Sequence, residues 1–285
     1  MSFTIDVPVV QQFSANVLML TEQKGSRLRG LIAVEDVTGD SRAFERLGSA
    51  GSPNLVTDRF GDTPINSLDH TRRWLYTRVY DYGEFVDNAD QAKLLVDPKS
   101  RYTERFVSAM GRQFDDSILA GLGGSVSEGH AGGTITAFPA AQQQASGSVG
   151  LTVNKILEAK RRLDAAEVDS EDRYWVFSSN EVSQLLLDSR VTSSDFNTVQ
   201  TLAMGQIDTY LGFRFVRSER LPVNGSSERL NYAFHRSAMV LGMSKDITTK
   251  ASERPDKRYA WQVYVWAQFG VLRLEDARVV ETACV

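Results

Sequence analysis

The chain has 285 residues, of which 42% are hydrophobic and 24% charged, and its net charge is −4. This composition excludes a disordered chain, and the length suffices for a large core without covalent staples. The acidic balance excludes a generally basic surface for coating nucleic acid, and the single cysteine, Cys284, excludes an internal disulfide framework and fits folding in a reducing cytoplasm.

The first twenty residues lack the basic start and long apolar run of a secretory signal. No segment reaches the ~20 apolar residues that span a bilayer. Met1 to about Gly30 shows little period and reads as an extended arm, with one short helix near Val9–Leu20, that must lie on its own domain or on a neighbour. SRAFERL, Ser41–Leu47, reads as a strand, and Gly48–Asp69 is dense in loop-forming Gly, Ser, Pro, Asn and Asp. RRWLYTRVYDYGEFV, Arg72–Val86, alternates with period two: Trp74, Tyr76, Arg78, Tyr80 and Tyr82 fall on one face, and Leu75, Thr77 and Val79 on the other. Two strands around a long polar tip describe a projecting hairpin.

A long helix follows. Asp97 suits its N-cap and Pro98 its first turn. Tyr102, Phe106, Met110, Phe114 and Ile118 recur every fourth residue as an apolar face, and Arg101, Glu104, Arg112 and Asp115 form the opposite face. Gly121-Leu-Gly-Gly ends it. Ser125–Gly150 reads as a loose connection with a short strand at Thr134–Phe138. An α/β stretch comes next: a helix capped by Thr152, the buried strand Tyr174–Ser178, and a second helix opened by the capping box Ser178-x-x-Glu181. After the polar loop VTSSDFN, GQIDTYLGFRFVRSERLP turns at Gly212 into a strand expected beside Tyr174–Ser178. The last part, RYAWQVYVWAQFGVLRLEDARVVE, reads as strands apolar on both faces, with a bend or bulge at Gly270.

The search for chemistry is negative. His70, His130 and His235 have no metal-ligand spacing. GLGGSVSEG closes a helix instead of opening one, so it is not a phosphate loop, and no Gly-x-Ser-x-Gly elbow occurs. Asp115 and Asp116 are adjacent on a helix and point apart, so they read as structural partners of arginines such as Arg105 or Arg112. Cys284 has no neighbouring histidine. Lys24, Arg27 and Arg29 are the candidate phosphate contacts, against the plainer reading of a solvated face.

The order of these motifs resembles the major capsid proteins of tailed bacteriophages, with their Hong Kong 97-type fold. The likeness is carried by RRWLYTRVYDYGEFVDNADQAKLLVDPKSRYTERFVSAMGRQFDDSILAGL, by NKILEAKRRLDAAEVDSEDRYWVFSSNEVSQLLLDSRVTSSDF, and by GQIDTYLGFRFVRSERLP. It implies an α+β fold with an N-terminal arm (1–33), an extended loop (34–88) and a peripheral domain (89–149) with its spine helix at 97–122. An axial domain (150–238) and a return to the peripheral domain (239–285) would follow. It implies a non-enzymatic protein without cofactor or membrane. Copies would assemble as hexamers and pentamers, in the host bacterial cytoplasm, into the icosahedral head of the virion around double-stranded DNA. A portal, a decoration protein and non-specific DNA on the inner face are further implied partners. The lack of a long helical segment ahead of the arm implies either a separate scaffolding protein or a chain already trimmed. Subunit contacts would involve Arg72, Arg73, Trp74, Tyr76, Arg78, Tyr80, Asp81 and Glu84; Lys24, Arg27 and Arg29 are the DNA-facing candidates. No Lys–Asn cross-linking pair is assigned. The competing readings are a cargo-enclosing compartment shell of the same fold and an α/β enzyme binding a ligand within Gly150–Pro222.

Overall fold

The computed structural model describes residues 22–55, 61–62, 65, 67–86, 98–187 and 209–285. The helix expected at Val9–Leu20, the Asp97 cap, the VTSSDFN loop and residues 205–208 lie outside them. In chain order the elements are β1 (Ala33–Asp36), β2 (Ser41–Leu47), β3 (His70–Tyr76), β4 (Arg78–Val86) and α1 (Pro98–Gly123). Then come β5 (Val126–Glu128), β6 (Thr134–Thr136), β7 (Gln143–Gln144), α2 (Val153–Ala165), β8 (Arg173–Phe177) and α3 (Ser179–Leu187). The chain closes with β9 (Thr209–Tyr210), β10 (Phe213–Arg217), β11 (Arg229–His235), β12 (Met239–Arg254), β13 (Ala260–Arg273) and β14 (Val279–Cys284).

Three sheets result. The first has the order β1-β12-β13-β4. Its period-two strand β13 turns Val263, Val265, Ala267 and Phe269 toward the four-residue stripe of α1, Phe106, Met110, Phe114 and Ile118, and all eight are buried. The rings of Phe114 and Phe269 lie 4.2 Å apart. Each of the larger side chains contributes about 1.5–3 kcal/mol by leaving water, so this face holds helix and sheet together. Gln262, Tyr264, Trp266 and Gln268 alternate onto the other face and are only half-buried.

The second sheet has six strands, in the order β7-β14-β11-β8-β10-β9. As expected, β10 lies beside β8, in parallel, with Phe215 opposite Trp175; Gly212 makes the turn at φ +87°. All five residues of β8 are buried because both faces are covered. One face packs on α2 through Ile156, Ala159 and Leu163. The other joins the α1 core through Tyr174, Val176, Tyr232 and Phe234. Thr152 precedes α2 but makes no side-chain cap bond. The capping box of α3 forms: the Glu181 carboxylate accepts from the Ser178 backbone N–H at 3.0 Å and from its hydroxyl. The final strand β14 pairs with β11, Tyr232 opposite Glu281, and β7 pairs with β14. The six-stranded unit therefore draws on residues on both sides of the 150–238 span.

The third sheet, β2-β3-β5-β6, contains the expected hairpin, with Ser41 opposite Tyr76 and Leu47 opposite His70. The stretch Arg72–Val86 is not one strand, however. It breaks at Thr77, whose N–H donates to Asp40 O at 2.8 Å and whose hydroxyl reaches Gly39 O at 3.2 Å. Beyond this break β4 joins the first sheet, along β13.

Asp115 also departs from expectation. It is 0% exposed, and neither Arg105 nor Arg112 is its partner. Its carboxylate accepts from Arg27 N at 3.1 Å, Leu28 N at 3.0 Å, Ser26 Oγ at 2.5 Å and Gln23 Nε2 at 2.5 Å. One turn earlier Gly111 lets the segment approach, since a Cβ there would sit 2.5 Å from the Gly25 carbonyl carbon. Residues 22–32 thus lie on their own subunit. Asp116 instead pairs with Arg220. Asp115→Ala leaves several buried donors unpaired and is expected to cost roughly 3 kcal/mol. Urea unfolding measures that loss, and limited proteolysis should then cut first between Gln23 and Leu31.

Candidate assembly surface

The hairpin is fixed at its base and open at its tip. Gly48 N donates to Asp69 O at 2.7 Å, closing the ladder. Leu47, at the end of β2, is 64% exposed, and beyond the closure Leu55 and Ile65 are 86% and 94% exposed. Leu55 and Ile65 are large apolar side chains left in water on the same loop, which makes them candidate contact groups. At the base, fully buried Leu75 wedges onto Gly242 and Gly270, which face each other across β12 and β13. Gly270 is therefore a close-approach position: a Cβ would lie 2.9 Å from the Tyr76 carbonyl carbon and closer still to its oxygen. The irregular pairing expected there falls on β12 instead, between Met243 and Thr248.

A charged cluster sits beside this wedge. Arg73 donates from Nε to Glu128 at 2.6 Å, from Nη2 to Asp276 Oδ2 at 2.6 Å, and from Nη1 to Asp276 Oδ1 at 3.0 Å and to Arg273 O at 2.9 Å. Asp276 Oδ1 also accepts from Arg273 Nε at 2.6 Å. Arg273 Nη1 closes the C-terminal end of α1, donating to Leu122 O at 2.8 Å and Gly124 O at 2.6 Å. Arg46 adds a bond to Leu274 O at 3.1 Å.

Burial opposes ionisation of Asp276, but bonds from Arg73 and Arg273 more than offset it and hold the carboxyl below its usual range. Glu128 is lowered in the same way, burial being outweighed by Arg73 and Thr136. A folded-state pKa below the unfolded one stabilises above the unfolded value, about 4, and that contribution is lost as pH falls through the folded value. The urea midpoint should therefore hold steady down to about pH 5 and fall below about pH 4. The fall should be shallower in Asp276→Asn.

The candidate contact residues divide. Arg73 is 1% exposed and its guanidinium is used inside the subunit, so it is not a surface contact. Arg72 pairs with Glu45 at 2.5 Å, and Trp74 Nε1 donates to Gly129 O at 2.9 Å. Tyr80 stacks on Phe269 at 4.7 Å, and Asp81 accepts from Tyr264 at 3.2 Å. Tyr76, Arg78 and Glu84 remain exposed. Sequence reasoning missed Val79 and Phe85, both exposed on β4, although both lie at odd positions of the same alternating pattern. The three cations expected to face DNA each have a partner within the subunit. Lys24 pairs with Glu104 at 3.2 Å, Arg27 donates to Arg217 O at 2.7 Å, and Arg29 forks onto Asp246 at 2.8 and 3.0 Å. His70 and His130 line one shallow groove, while His235 Nδ1 bonds Ser237. Cys284 is buried beside Lys155, 3.7 Å from its Nζ, and burial raises its thiol pKa. Among the described residues no cluster of His, Cys, Asp and Glu could hold a metal ion.

The family model described as phage capsid protein matches residues 5–285. The chain belongs to the phage capsid protein family. Solved phage structures share its fold at low sequence identity. The capsid of the cyanophage P-SCSP1u superposes with a TM-score of 0.78 at 15% identity, over 97% of this chain and 93% of that one. A structure from the Mycobacterium phage Che8 gives 0.75 at 18%, over 98% of each chain. The acid-stable capsid of the Helicobacter pylori bacteriophage KHP30 gives 0.74 at 10%, over 96% and 95%. No curated protein sequence matches the chain. The capsid protein is thus an α+β structural subunit of the virion head, a major capsid protein that self-assembles into the shell, and not an enzyme.

Proposed function

We propose that the capsid protein closes an icosahedral head of hexamers and pentamers around double-stranded DNA by laying its hairpin tip across a neighbouring copy. The observation that carries this is the contrast within one hairpin: a base locked by Leu75 and Arg73, and a tip presenting Leu55 and Ile65 to solvent. The face of the first sheet turned away from α1 is a matching acceptor, with half-buried Tyr264 and Trp266 and exposed Val79 and Phe85. Burial of these groups drives association, charged Asp81 on the same face helps set register, and many weak contacts act together. DNA meets the inner face non-specifically, and a separate scaffolding protein, a portal and a decoration protein complete the head, which is assembled in the bacterial cytoplasm. Negative-stain microscopy of the chain expressed with its neighbouring genes tests the reading: closed shells containing DNA support it. A stable monomer under every condition overturns it, and shells filled with an enzyme favour a cargo compartment.

A further inference from the structure

We infer that Asp276 is a positioning residue for assembly, setting the angle at which the hairpin leaves the subunit. The inference rests on the reading that the hairpin reaches a neighbouring copy. The sheet β2-β3-β5-β6 meets the rest of the fold through a small apolar cluster, Val37, Leu75, Val126, Val240 and Leu272. Apolar contact is non-directional, so a wedge at Leu75 fixes a point and leaves rotation about it free. Arg73 lies two residues away on the same face of β3, and both side chains are buried. Its planar fork engages both Asp276 oxygens, which adds the second fixed point that an angle requires. The partners of Arg73 and Arg46 across the joint all fall within residues 273–276, on the turn between β13 and β14. Asp276 also holds Arg273, which closes the end of α1. One carboxylate thus ties the hairpin to both the long helix and the body sheet.

Spin labels at Thr71→Cys on β3 and Glu171→Cys beside the six-stranded sheet report the angle in the full chain; Cys284, 0% exposed, stays unlabelled. One narrow distance is expected with Asp276 in place. Asp276→Asn should give a broad or two-peaked distribution with unchanged circular dichroism, and Asp276→Glu should restore the narrow one. Shell yield should fall in parallel by roughly tenfold, the scale on which lost pre-organisation weakens association. A folded Asp276→Asn protein with the same narrow distance overturns the inference. If that variant does not fold, Arg46→Ala, which removes a half-exposed strut, is read the same way. A broadened distance with normal shell yield overturns the role of Asp276 in assembly while the clamp itself stands, and the tip's part in the contact is decided separately by replacing Ser49–Leu68.

Discussion

Replacing Ser49–Leu68 by Asn-Gly should leave a folded subunit that no longer forms shells. The pair Gly48–Asp69 already closes the ladder, so a two-residue turn can bridge it, and Asn-Gly supplies the φ > 0 that such a turn needs. Everything that holds the base, Leu75, Arg73 and the pairing of β2 with β3, is retained. The variant loses exposed Leu55 and Ile65, each worth about 1.5–3 kcal/mol when fully buried. Losing even part of this at each contact raises the assembly concentration tenfold per 1.4 kcal/mol, so shell yield at fixed concentration should drop by about two orders of magnitude. Sedimentation separates shells from free subunits, and calorimetry confirms the fold. Normal particles from this variant would remove the tip from assembly.

Gly270→Ala should be the most damaging small substitution in the body of the subunit. The added methyl meets the Tyr76 backbone, which cannot swing away as a side-chain end can. The cost is therefore steric and not conformational, because Gly270 does not have a positive φ. Overpacking against backbone is expected to cost roughly 3 kcal/mol, at the upper end of such changes. Two companions calibrate it. Gly242→Ala presses on the Leu75 and Val37 side chains, which can shift, and should cost less; Gly133→Ala has open space and should stay within about 0.5 kcal/mol of the parent. Denaturation midpoints of the three should fall in that order. If Gly270→Ala matches Gly133→Ala, Leu75 is not wedged against this notch.

Much of this architecture was legible in the sequence because it is written locally. The four-residue stripe on α1, the capping box at Ser178 and Glu181, and the strand leaving Gly212 depend on neighbours within a turn or two. The misread features depend on distant partners. Trp74 to Tyr82 keeps one alternation through Thr77, and only the bonds of Thr77 to the Gly39–Asp40 turn show that the strand changes sheets. Asp115 sits where a helix shows polar residues to solvent, and it is buried because the backbone of residues 26–28 comes to it. Arg73 resembles Arg72 in composition, yet it shares the parity of Leu75, and that period-two signal was available. Of the contact face, the aromatic members were readable, whereas Leu55 and Ile65 were hidden within a loop read by its Gly, Pro and Ser content.

The break at Thr77 has a mechanical consequence. Between β3 and β4 a single residue joins the hairpin sheet to the body sheet, where the link from β1 to β2 has four, and one residue spans at most about 3.6 Å. Such a tether permits swivelling but almost no stretching. The Arg73–Asp276 clamp resists turning about this point, and a pull on the tip passes through the link directly into the body sheet with no slack to absorb it.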